Sequence, residues 1–261
     1  MVFSEKRIVV KVGSGLLAGK DGGINIPLIE SLAAQIADLK NAAFEVIMVS
    51  SGAISAGMST LKKDKRPSEL ADMQACASIG QPILMSAYQK AFETHGLCAA
   101  QILVTSWDFD SRKLYDNAQA TLQHLLHLGN CVPVFNENDA LSFEEIAMLN
   151  RFGDNDTLSA QVTLLAKAGR LIILTSIDGL RTSPENGDLI SHVSCIDDKI
   201  ESYARDTASE RSVGGMLSKL QTAQLMMDHQ IPMHIADGRV DKILPKLLIH
   251  HEKIGTLFLK D

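Results

Sequence analysis

Residues 7–15 read RIVVKVGSG, a short apolar run that leads directly into a glycine-rich turn. The run is mostly Val and Ile without polar alternation, which is typical of a strand buried on both faces of a parallel sheet. Because glycine has no Cβ, a Gly-Ser-Gly turn lets a ligand come close to the backbone. The stretch therefore predicts a central strand with a ligand-binding loop at its carboxyl end.

Short apolar runs of this kind recur along the chain and alternate with longer segments of helical periodicity. This alternation predicts an α/β fold, a three-layer αβα sandwich around a mostly parallel, open sheet. Residues 184–194 are expected to be irregular, with room for a short hairpin, and Pro82 is expected to kink or divide its helix. The predicted strands are 7–12, 45–50, 99–104, 131–135, 170–175, 231–235 and 255–259, and the predicted helices are 27–42, 68–95, 111–128, 156–168 and 214–229.

Composition limits the class of protein. The 261 residues fit one α/β domain, 1–261, without a low-complexity linker or a repeat. The net charge of −6 disfavours nucleic acid as a partner, since phosphate backbones require clustered Lys and Arg. No apolar run approaches the roughly 20 residues of a membrane span, and no signal peptide is evident. Four dispersed cysteines without a CxxC pair indicate a reducing compartment, so a cytoplasmic location without membrane contact is expected.

Ligands of open α/β sheets collect at the carboxyl ends of the strands, and small polar segments follow four of the predicted strands. The loop at 13–18 matches the dinucleotide pattern G-x-G-x-x-A, but further glycines extend it and the next helix begins only near Pro27. The second strand ends in Ser50 and Ser51 rather than in the acidic residue that would hold a ribose. A Walker A motif is also missing, because the Gly-Lys pair at 19–20 is not followed by Ser or Thr. A phosphate or small polar ligand is expected instead. The four segments are GSGLLAG, SSGAISAG, NENDA and SIDG.

Two lysines near opposite ends of the chain indicate phosphoryl chemistry. Lys11 lies in the first strand, where a charge is costly without a partner, unless it reaches the sheet edge. Lys219 lies about one turn into a helix opened by Gly214 and Gly215, which makes an anion site, although a helix lysine is commonly only a surface residue. Together the lysines can neutralise charge on a transferring phosphoryl group. Because like charges repel, a carboxylate is needed between them, and we assign that role to Asp156.

The stretch RFGDNDTLSA at 151–160 places Asp156 after two further small polar residues, Asp154 and Asn155. The purely structural alternative is a helix cap with acidic residues that suit the positive end of the helix dipole. The functional alternative is a loop that holds lysines or cations around a phosphate. Both alternatives stay open at this point.

Six motifs, taken in order, resemble the amino-acid kinase family: KVGSGLL, VSSGAISAG, PVFNENDA, GDNDTLSA, LTSIDGL and GGMLSK. The resemblance extends from about residue 6 to about residue 259. The set SSGAI, NENDA and GDND is similar to that of the members that phosphorylate glutamate. The resemblance implies transfer of the γ-phosphoryl group of ATP, carried with Mg²⁺, to the γ-carboxylate of L-glutamate, the first step of proline synthesis.

The resemblance also implies residue roles. Lys11 and Lys219 would stabilise the transferring phosphoryl group, and Asp156 would orient both lysines. The part before about residue 170 would bind mainly glutamate, and the part after it mainly ATP. Mg²⁺ would be held by the ATP phosphates, so no metal site on the protein is expected. The implied glutamate-binding residues are Ser51, Gly52, Ala53, Asp139 and Asn155, and the implied ATP-binding residues are Lys11, Gly13, Ser14, Thr175, Ser176, Val213, Gly214, Gly215, Met216, Leu217, Ser218 and Lys219.

Three departures from the family pattern stand out. Ser176 replaces an aspartate that is common in the family, with Asp178 a possible substitute, and Val213 replaces a common threonine. The sequence also stops at GTLFLKD, where many members continue into a C-terminal PUA domain. From the family we further expect feedback inhibition by proline at or beside the glutamate pocket, with the loop at 59–72 contributing. A homodimer or homotetramer is expected too, with the helix at 68–95 as the interface.

Two other functions compete with this interpretation. One is a sister kinase whose acceptor is another carboxylate, such as N-acetylglutamate. Asp139 argues against it, because a carboxylate placed for a free ammonium is wasted on an acetylated amine. The other is a catalytically silent, amino-acid-sensing module on the same scaffold. Such a module should have lost at least one of Lys11, Lys219 and Asp156, and all three are present.

Overall fold

The computed structural model describes residues 2–19, 22–141, 155–183, 187–206 and 215–261. The strands, in chain order, are β1 Ser4–Val12, β2 Glu45–Val49, β3 Cys98–Val104, β4 Cys131–Glu137, β5 Ala168–Thr175, β6 His192–Val193, β7 Met233–Asp237 and β8 Thr256–Phe258. They form one sheet in the order β3-β4-β2-β1-β5-β7-β8-β6. Neighbouring strands run parallel except β7 and β8. The predicted mostly parallel, open sheet is confirmed.

The helices in these ranges are α1 Ser14–Leu17, α2 Ile26–Asn41, α3 Ala53–Thr60, α4 Leu70–Glu93, α5 Ser106–Asp110, α6 Arg112–His127, α7 Asn155–Ala166, α8 Asp198–Asp206, α9 Met216–Asp228 and α10 Ile243–Leu248. Five of them match predicted helices to within two residues at each end. The prediction missed α3 and the four other short helices. The alternative that Pro82 divides its helix is wrong, because α4 runs unbroken past it. Pro82 is exposed, so water can satisfy the carbonyl group that loses its amide partner.

Strand β1 shows why the sheet lies in the middle of the molecule. Its alternate residues Ile8, Val10 and Val12 pack into one hydrophobic core, which includes apolar residues of α2, α4 and α10. Val9 packs into a second core on the other face, with residues of α7 and α9. Successive side chains of a strand point to opposite faces, so a strand that is apolar throughout must be covered on both sides. The expected three-layer αβα sandwich is therefore confirmed.

Helix α3 packs unusually close to α4 because glycines stand at the crossing. A Cβ added at Gly80 would overlap the carbonyl oxygen of Ala53, and one added at Gly57 would overlap the carbonyl oxygen of Cys76. Both glycines are therefore required by the approach of the two backbones. The close packing fixes the start of α3, which follows directly from the loop at the end of β2.

Two of the dispersed cysteines meet across the sheet. Cys98 and Cys131 are directly paired on the parallel strands β3 and β4, and their Sγ atoms lie 2.9 Å apart. Both are free thiols. Burial, followed by the hydrogen bond with Cys98, raises the pKa of Cys131 to about 11. A thiol of that pKa is uncharged at neutral pH and packs as a small apolar group.

Candidate active site

Three charged side chains from distant parts of the chain meet at one end of the sheet. Lys11 stands one residue before the end of β1, Asp156 lies in the first turn of α7, and Lys219 lies one turn into α9. The Lys11 Nζ atom is 2.5 Å from Asp156 Oδ1, and the Lys219 Nζ atom is 3.0 Å from Asp156 Oδ2. One carboxylate therefore joins both lysines, as the sequence analysis predicted.

All three members of this charged cluster are buried. Asp156 is 0% exposed, Lys11 4% and Lys219 5%. Burial acts to raise the pKa of the Asp156 carboxyl, but the charges and hydrogen bonds of the two lysines outweigh it, so this pKa lies below its ordinary value. Asp156 is therefore ionised at neutral pH. The cluster carries one net positive charge, which suits a site for an anion.

A polar cleft adjoins this cluster and encloses about 600 Å³, including the part open to solvent. All five residues implied for glutamate binding line it, together with Lys11 and Ser14. The remaining lining residues were not singled out from the sequence. The residues implied for glutamate binding are Ser51, Gly52, Ala53, Asp139 and Asn155, and the remaining lining residues are Ile54, Ser55, Arg66, Asn136 and Glu137.

Asn155 connects the cleft to the ends of two strands. Its Nδ2 atom donates to Ser51 Oγ at 2.7 Å and to the carbonyl oxygen of Ser50 at 3.0 Å, and lies 3.4 Å from Asn136 Oδ1. Its Oδ1 atom is buried and has no hydrogen-bond partner among the residues that the structure describes. Because Nδ2 is held by the protein, Oδ1 is left as an acceptor for a group that enters the cleft.

The loop between β2 and α3 forms one wall of the cleft. Gly52 has a φ of +97° and precedes the first residue of α3, so this position favours glycine. The first backbone N–H groups of a helix have no partner within it and carry the positive end of the helix dipole. The segment from Ser51 to Ser55 can therefore bind a carboxylate with backbone N–H groups and the Ser51 hydroxyl.

Asp139 and Arg66 bring opposite charges to the cleft, which Lys11 and Glu137 also line. Burial raises the pKa of Asp139 to about 6, although the positive charge of Arg66 acts in the opposite direction. Arg66 belongs to the loop between α3 and α4, within the segment 59–72 that was expected to contribute near this pocket. The carboxylate of Asp139 and the guanidinium of Arg66 together suit a zwitterionic ligand.

Asn136 is buried, and a chain of amides holds it in place. Its Nδ2 atom donates to Gln81 Oε1 at 2.8 Å, and its Oδ1 atom accepts from the backbone N–H of Glu137 at 3.0 Å. Gln81 Nε2 in turn lies 3.3 Å from Gln101 Oε1. The NENDA motif pointed to this loop, but the partner Gln81 lies on α4 and no sequence spacing connects the two.

The residues implied for ATP binding lie in three places. Gly13 lies two residues after Lys11 in the sequence, and a Cβ added at Gly13 would lie 3.3 Å from the carbonyl oxygen of Leu174. Ser176 follows β5 beside the first loop, since a Cβ added at Gly15 would lie 3.9 Å from Ser176 Oγ. Thr175 ends β5. The segment Gly215–Lys219 is the start of α9, and Val213 and Gly214 lie outside the described residues.

Asp178, the candidate substitute for the aspartate that Ser176 replaces, is paired with Arg181. Its two carboxylate oxygens accept from the Arg181 guanidinium at 3.0 and 2.6 Å. The hydrogen bond from Arg181 comes first among the causes that lower the pKa of Asp178. The Ser176 carbonyl oxygen instead accepts from Arg239 at 2.7 Å, and that guanidinium also pairs with Asp237 at the end of β7.

Comparisons with known proteins identify the family. A model of the amino acid kinase family matches residues 6–237. Over 259 residues the chain is 45% identical to glutamate 5-kinase of Geobacter sulfurreducens, covering 97% of this chain and 68% of the relative. Over 257 residues it is 41% identical to glutamate 5-kinase of Clostridium acetobutylicum, of which it covers 94%. The chain belongs to the amino acid kinase family, in its glutamate 5-kinase branch.

A solved structure supports the fold independently. The crystal structure of UMP kinase from Bacillus anthracis superposes with a TM-score of 0.62 at 14% identity, and the match covers 100% of this chain and 98% of that one. At this identity the likeness concerns the fold alone. Across the described residues, we find no helix with the length and hydropathy that a membrane span requires.

Proposed function

We propose that this protein transfers the γ-phosphoryl group of ATP to the γ-carboxylate of L-glutamate, producing L-glutamyl 5-phosphate for proline synthesis. The observation that carries the proposal is the buried Lys11–Asp156–Lys219 cluster directly beside a polar cleft that suits an amino acid. The name of the relatives, glutamate 5-kinase, supports the acceptor. The competing sister kinase and the silent sensor are not favoured.

The reaction needs charge neutralisation and alignment more than proton transfer. A γ-carboxylate oxygen of glutamate attacks the γ-phosphorus, and the bond from that phosphorus to the bridging oxygen breaks with ADP as the leaving group. The nucleophile is already deprotonated at neutral pH, so no general base is required. Lys11 and Lys219 would bind the equatorial and leaving oxygens as negative charge spreads over them. Asp156 holds both ammonium groups in place between turnovers.

The cleft suits glutamate in one orientation. The α-ammonium group would donate to Asp139 and to the free acceptor of Asn155. The α-carboxylate would accept from Ser51, from the backbone at the start of α3, and from Arg66. The γ-carboxylate would then extend toward Lys11. We accordingly propose that the part before about residue 170 binds mainly glutamate and the part after it mainly the nucleotide.

Mg²⁺ would enter with ATP. Both oxygens of Asp156 are engaged by lysines, so this carboxylate does not fit as a ligand of the ion. Mg²⁺ usually keeps several waters and binds nucleotide phosphates through its remaining positions. When bound, it would neutralise part of the phosphate charge. Gly13, Ser14, Thr175, Ser176 and the start of α9 would contact the nucleotide.

A hydroxylamine assay tests the proposal. Hydroxylamine traps an acyl phosphate as a hydroxamate, which gives a coloured complex with iron. The protein is incubated with ATP and Mg²⁺ and with L-glutamate, N-acetyl-L-glutamate or L-aspartate in separate reactions. We expect colour with L-glutamate alone. Colour with N-acetylglutamate would overturn the role of Asp139 and the acceptor, and no colour with any acid would favour a silent sensor.

We also propose that proline binds at or beside the glutamate cleft as a feedback inhibitor. Arg66 supports this, because it brings the segment 59–72 to the cleft where it can bind the carboxylate of either amino acid. Initial rates at several proline concentrations test it. Proline should raise the KM for glutamate without lowering kcat, and an effect on kcat alone would contradict an overlapping site.

We further propose a homodimer or homotetramer with α4 at the interface. The exposed Ile83 on the outer face of this helix supports the proposal. Sedimentation of the wild type and of an Ile83→Glu variant tests it. The variant should dissociate, and a monomeric wild type would contradict the proposal.

A further inference from the structure

A second cleft lies at the other end of the sheet from the charged cluster. Arg170, near the amino end of β5, lines it together with residues of β6, β7 and the loop after α10. The cleft encloses about 960 Å³, including the part open to solvent. None of the residues implied for catalysis or substrate binding takes part in it. Its basic or imidazole side chains are Arg170, His192, His234, His251 and Lys253.

The register of the sheet brings three of these side chains to one face. His234 pairs with Leu257 of β8, and Leu257 pairs with His192 of β6. His234 also pairs with Ile172 of β5, two residues after Arg170. Directly paired residues share a face, and so do residues two apart on a strand. The juxtaposition of Arg170, His192 and His234 therefore follows from the fold.

Arg170 is half-buried, yet its guanidinium forms no hydrogen bond or ion pair with any residue that the structure describes. Burial lowers the pKa of Arg170, and the charge of Glu5 acts in the opposite direction. A guanidinium stays protonated at any physiological pH. A partly desolvated guanidinium without a hydrogen bond is costly, so a hydrogen-bonded anion from outside the chain would relieve it.

His234 also lines this cleft and carries a buried ring nitrogen that no described residue satisfies. It is 8% exposed, and its Nδ1 atom has no hydrogen-bond partner in the described part of the chain. Burial, and then the charge of Arg170, lower the pKa of His234 to about 4. The ring is therefore neutral at pH 7 and can donate one hydrogen bond. Because buried polar groups are almost always hydrogen-bonded, this ring nitrogen has the capacity for a partner that enters the cleft.

The charge of the cleft favours an anion over a cation. Lys253 and the exposed rings of His192 and His251 stand at its rim, and one acidic residue, Glu252, also lines it. In the ranges that the structure describes, no three His, Cys, Asp or Glu side chains are grouped closely enough to hold a metal ion. A cationic occupant would be repelled by the Arg170 guanidinium, which lines the same cleft.

We propose that this cleft binds a small anion that presents a phosphate or carboxylate group, with Arg170 as the main donor and His234 as a neutral hydrogen-bond donor. The positive charge of Lys253 attracts the anion from the rim of the cleft. The proposal concerns a site separate from the charged cluster and does not depend on which acid the protein phosphorylates.

Calorimetric titration of the full chain tests the proposal, with inorganic phosphate and succinate as separate probes and sodium chloride at matched ionic strength as the reference. The test variants are Arg170→Met and His234→Phe. The matched control is Lys246→Met, because Lys246 is also half-buried, lies on α10 and does not line the cleft. Losing a charged hydrogen bond weakens binding roughly tenfold or more. We expect that loss for at least one probe in both test variants and no change in the control.

The two probes distinguish the sources of the anion. Tighter binding of phosphate indicates a phosphate ester, and tighter binding of succinate indicates a carboxylate. Equal affinity in wild type and Arg170→Met would place the bound anion elsewhere, such as at Lys11 and Lys219, and would overturn the proposal. Absence of binding beyond chloride would overturn it as well. A change in sedimentation with no change in anion affinity would assign the cleft to a partner's acidic side chain instead.

Folding of the Arg170→Met variant is checked by urea unfolding without either probe. Because Arg170 forms no hydrogen bond or ion pair with the described residues, its replacement by an apolar side chain of similar length should leave the unfolding midpoint unchanged or raise it. Added phosphate or succinate should raise the midpoint of the wild type and not that of the variant. A lower midpoint without the probes would show that Arg170 has a stabilising partner within the chain, which contradicts the argument.

Discussion

Replacing Asp156 by asparagine tests the central charge arrangement. The variant keeps the shape of the side chain and one acceptor oxygen, but it removes the negative charge that pairs with two buried ammonium groups. Removing one partner of a buried ion pair costs about 3–5 kcal/mol. Because the amide oxygen still accepts one hydrogen bond, we expect the lower end of this range. The free energy of unfolding at pH 7 should fall by about 3 kcal/mol.

The dependence of this loss on pH has a definite sign. The folded protein holds the pKa of Asp156 below its ordinary value, so the unfolded chain binds more protons as the pH falls. The stabilisation from Asp156 is therefore fully present above the unfolded pKa, about 3.9. It is lost as the pH falls through the lower, folded pKa. The difference between wild type and Asp156→Asn should be largest near neutrality and should shrink only below about pH 4.

Urea unfolding and the hydroxylamine assay measure the two consequences side by side. The matched control is Asp116→Asn, which breaks the exposed pair with Arg112 on α6. Such a pair is worth about 0–1 kcal/mol, and the control should keep its activity. We expect kcat to fall roughly 100-fold or more in Asp156→Asn. A stability loss no larger than that of the control would refute the charge argument, and a nearly normal kcat would refute the lysine-positioning role.

Two further predictions concern the cleft, and a third concerns the crossing of α3 and α4. The value of kcat/KM for glutamate should fall as the pH drops below about 6, because protonated Asp139 no longer attracts an ammonium group. The Arg66→Gln variant loses the positive charge that lowers the pKa of Asp139, so its kcat/KM should begin to fall at a higher pH. Asn155→Ala should raise the KM for glutamate roughly tenfold in steady-state kinetics while that for ATP stays constant. Gly80→Ala should lower the free energy of unfolding by roughly 1–3 kcal/mol in urea, because the new Cβ meets the Ala53 carbonyl, and a wild-type midpoint would contradict the packing argument.

The sheet was predictable because its strands follow a simple rule. A run such as 170–175 is apolar on both faces, and only a strand covered by helices on both sides buries all of it. Helix α3 was missed for the opposite reason. Its sequence, AISAGMST, has small residues without helical periodicity, and its place is fixed by the approach of Gly57 and Gly80 to neighbouring backbone. Such packing depends on a partner that lies elsewhere in the sequence.

The charged cluster was predictable from chemistry, whereas the rest of the cleft was not. Two lysines that must lie close together require a carboxylate, so Asp156 follows once Lys11 and Lys219 are chosen. Arg66 had no such signal, because it lies in a loop beside other basic residues, where a solvated side chain is the ordinary interpretation. Its role depends on how that loop folds back over the start of α3, which no local pattern encodes.

A helix cap and a phosphoryl-binding site are compatible explanations of why Asn155 and Asp156 stand at the start of α7. The helix cap alone does not explain their contacts. Consecutive helix residues point about 100° apart, so the two side chains serve different neighbours. Asn155 reaches Ser51 beside the cleft, whereas Asp156 reaches lysines from both ends of the chain. A residue that served only the helix dipole would be expected at the surface, and Asp156 is fully buried. One helix start therefore aligns the acceptor cleft with the phosphoryl-binding lysines, and this alignment forms only when the whole domain has folded.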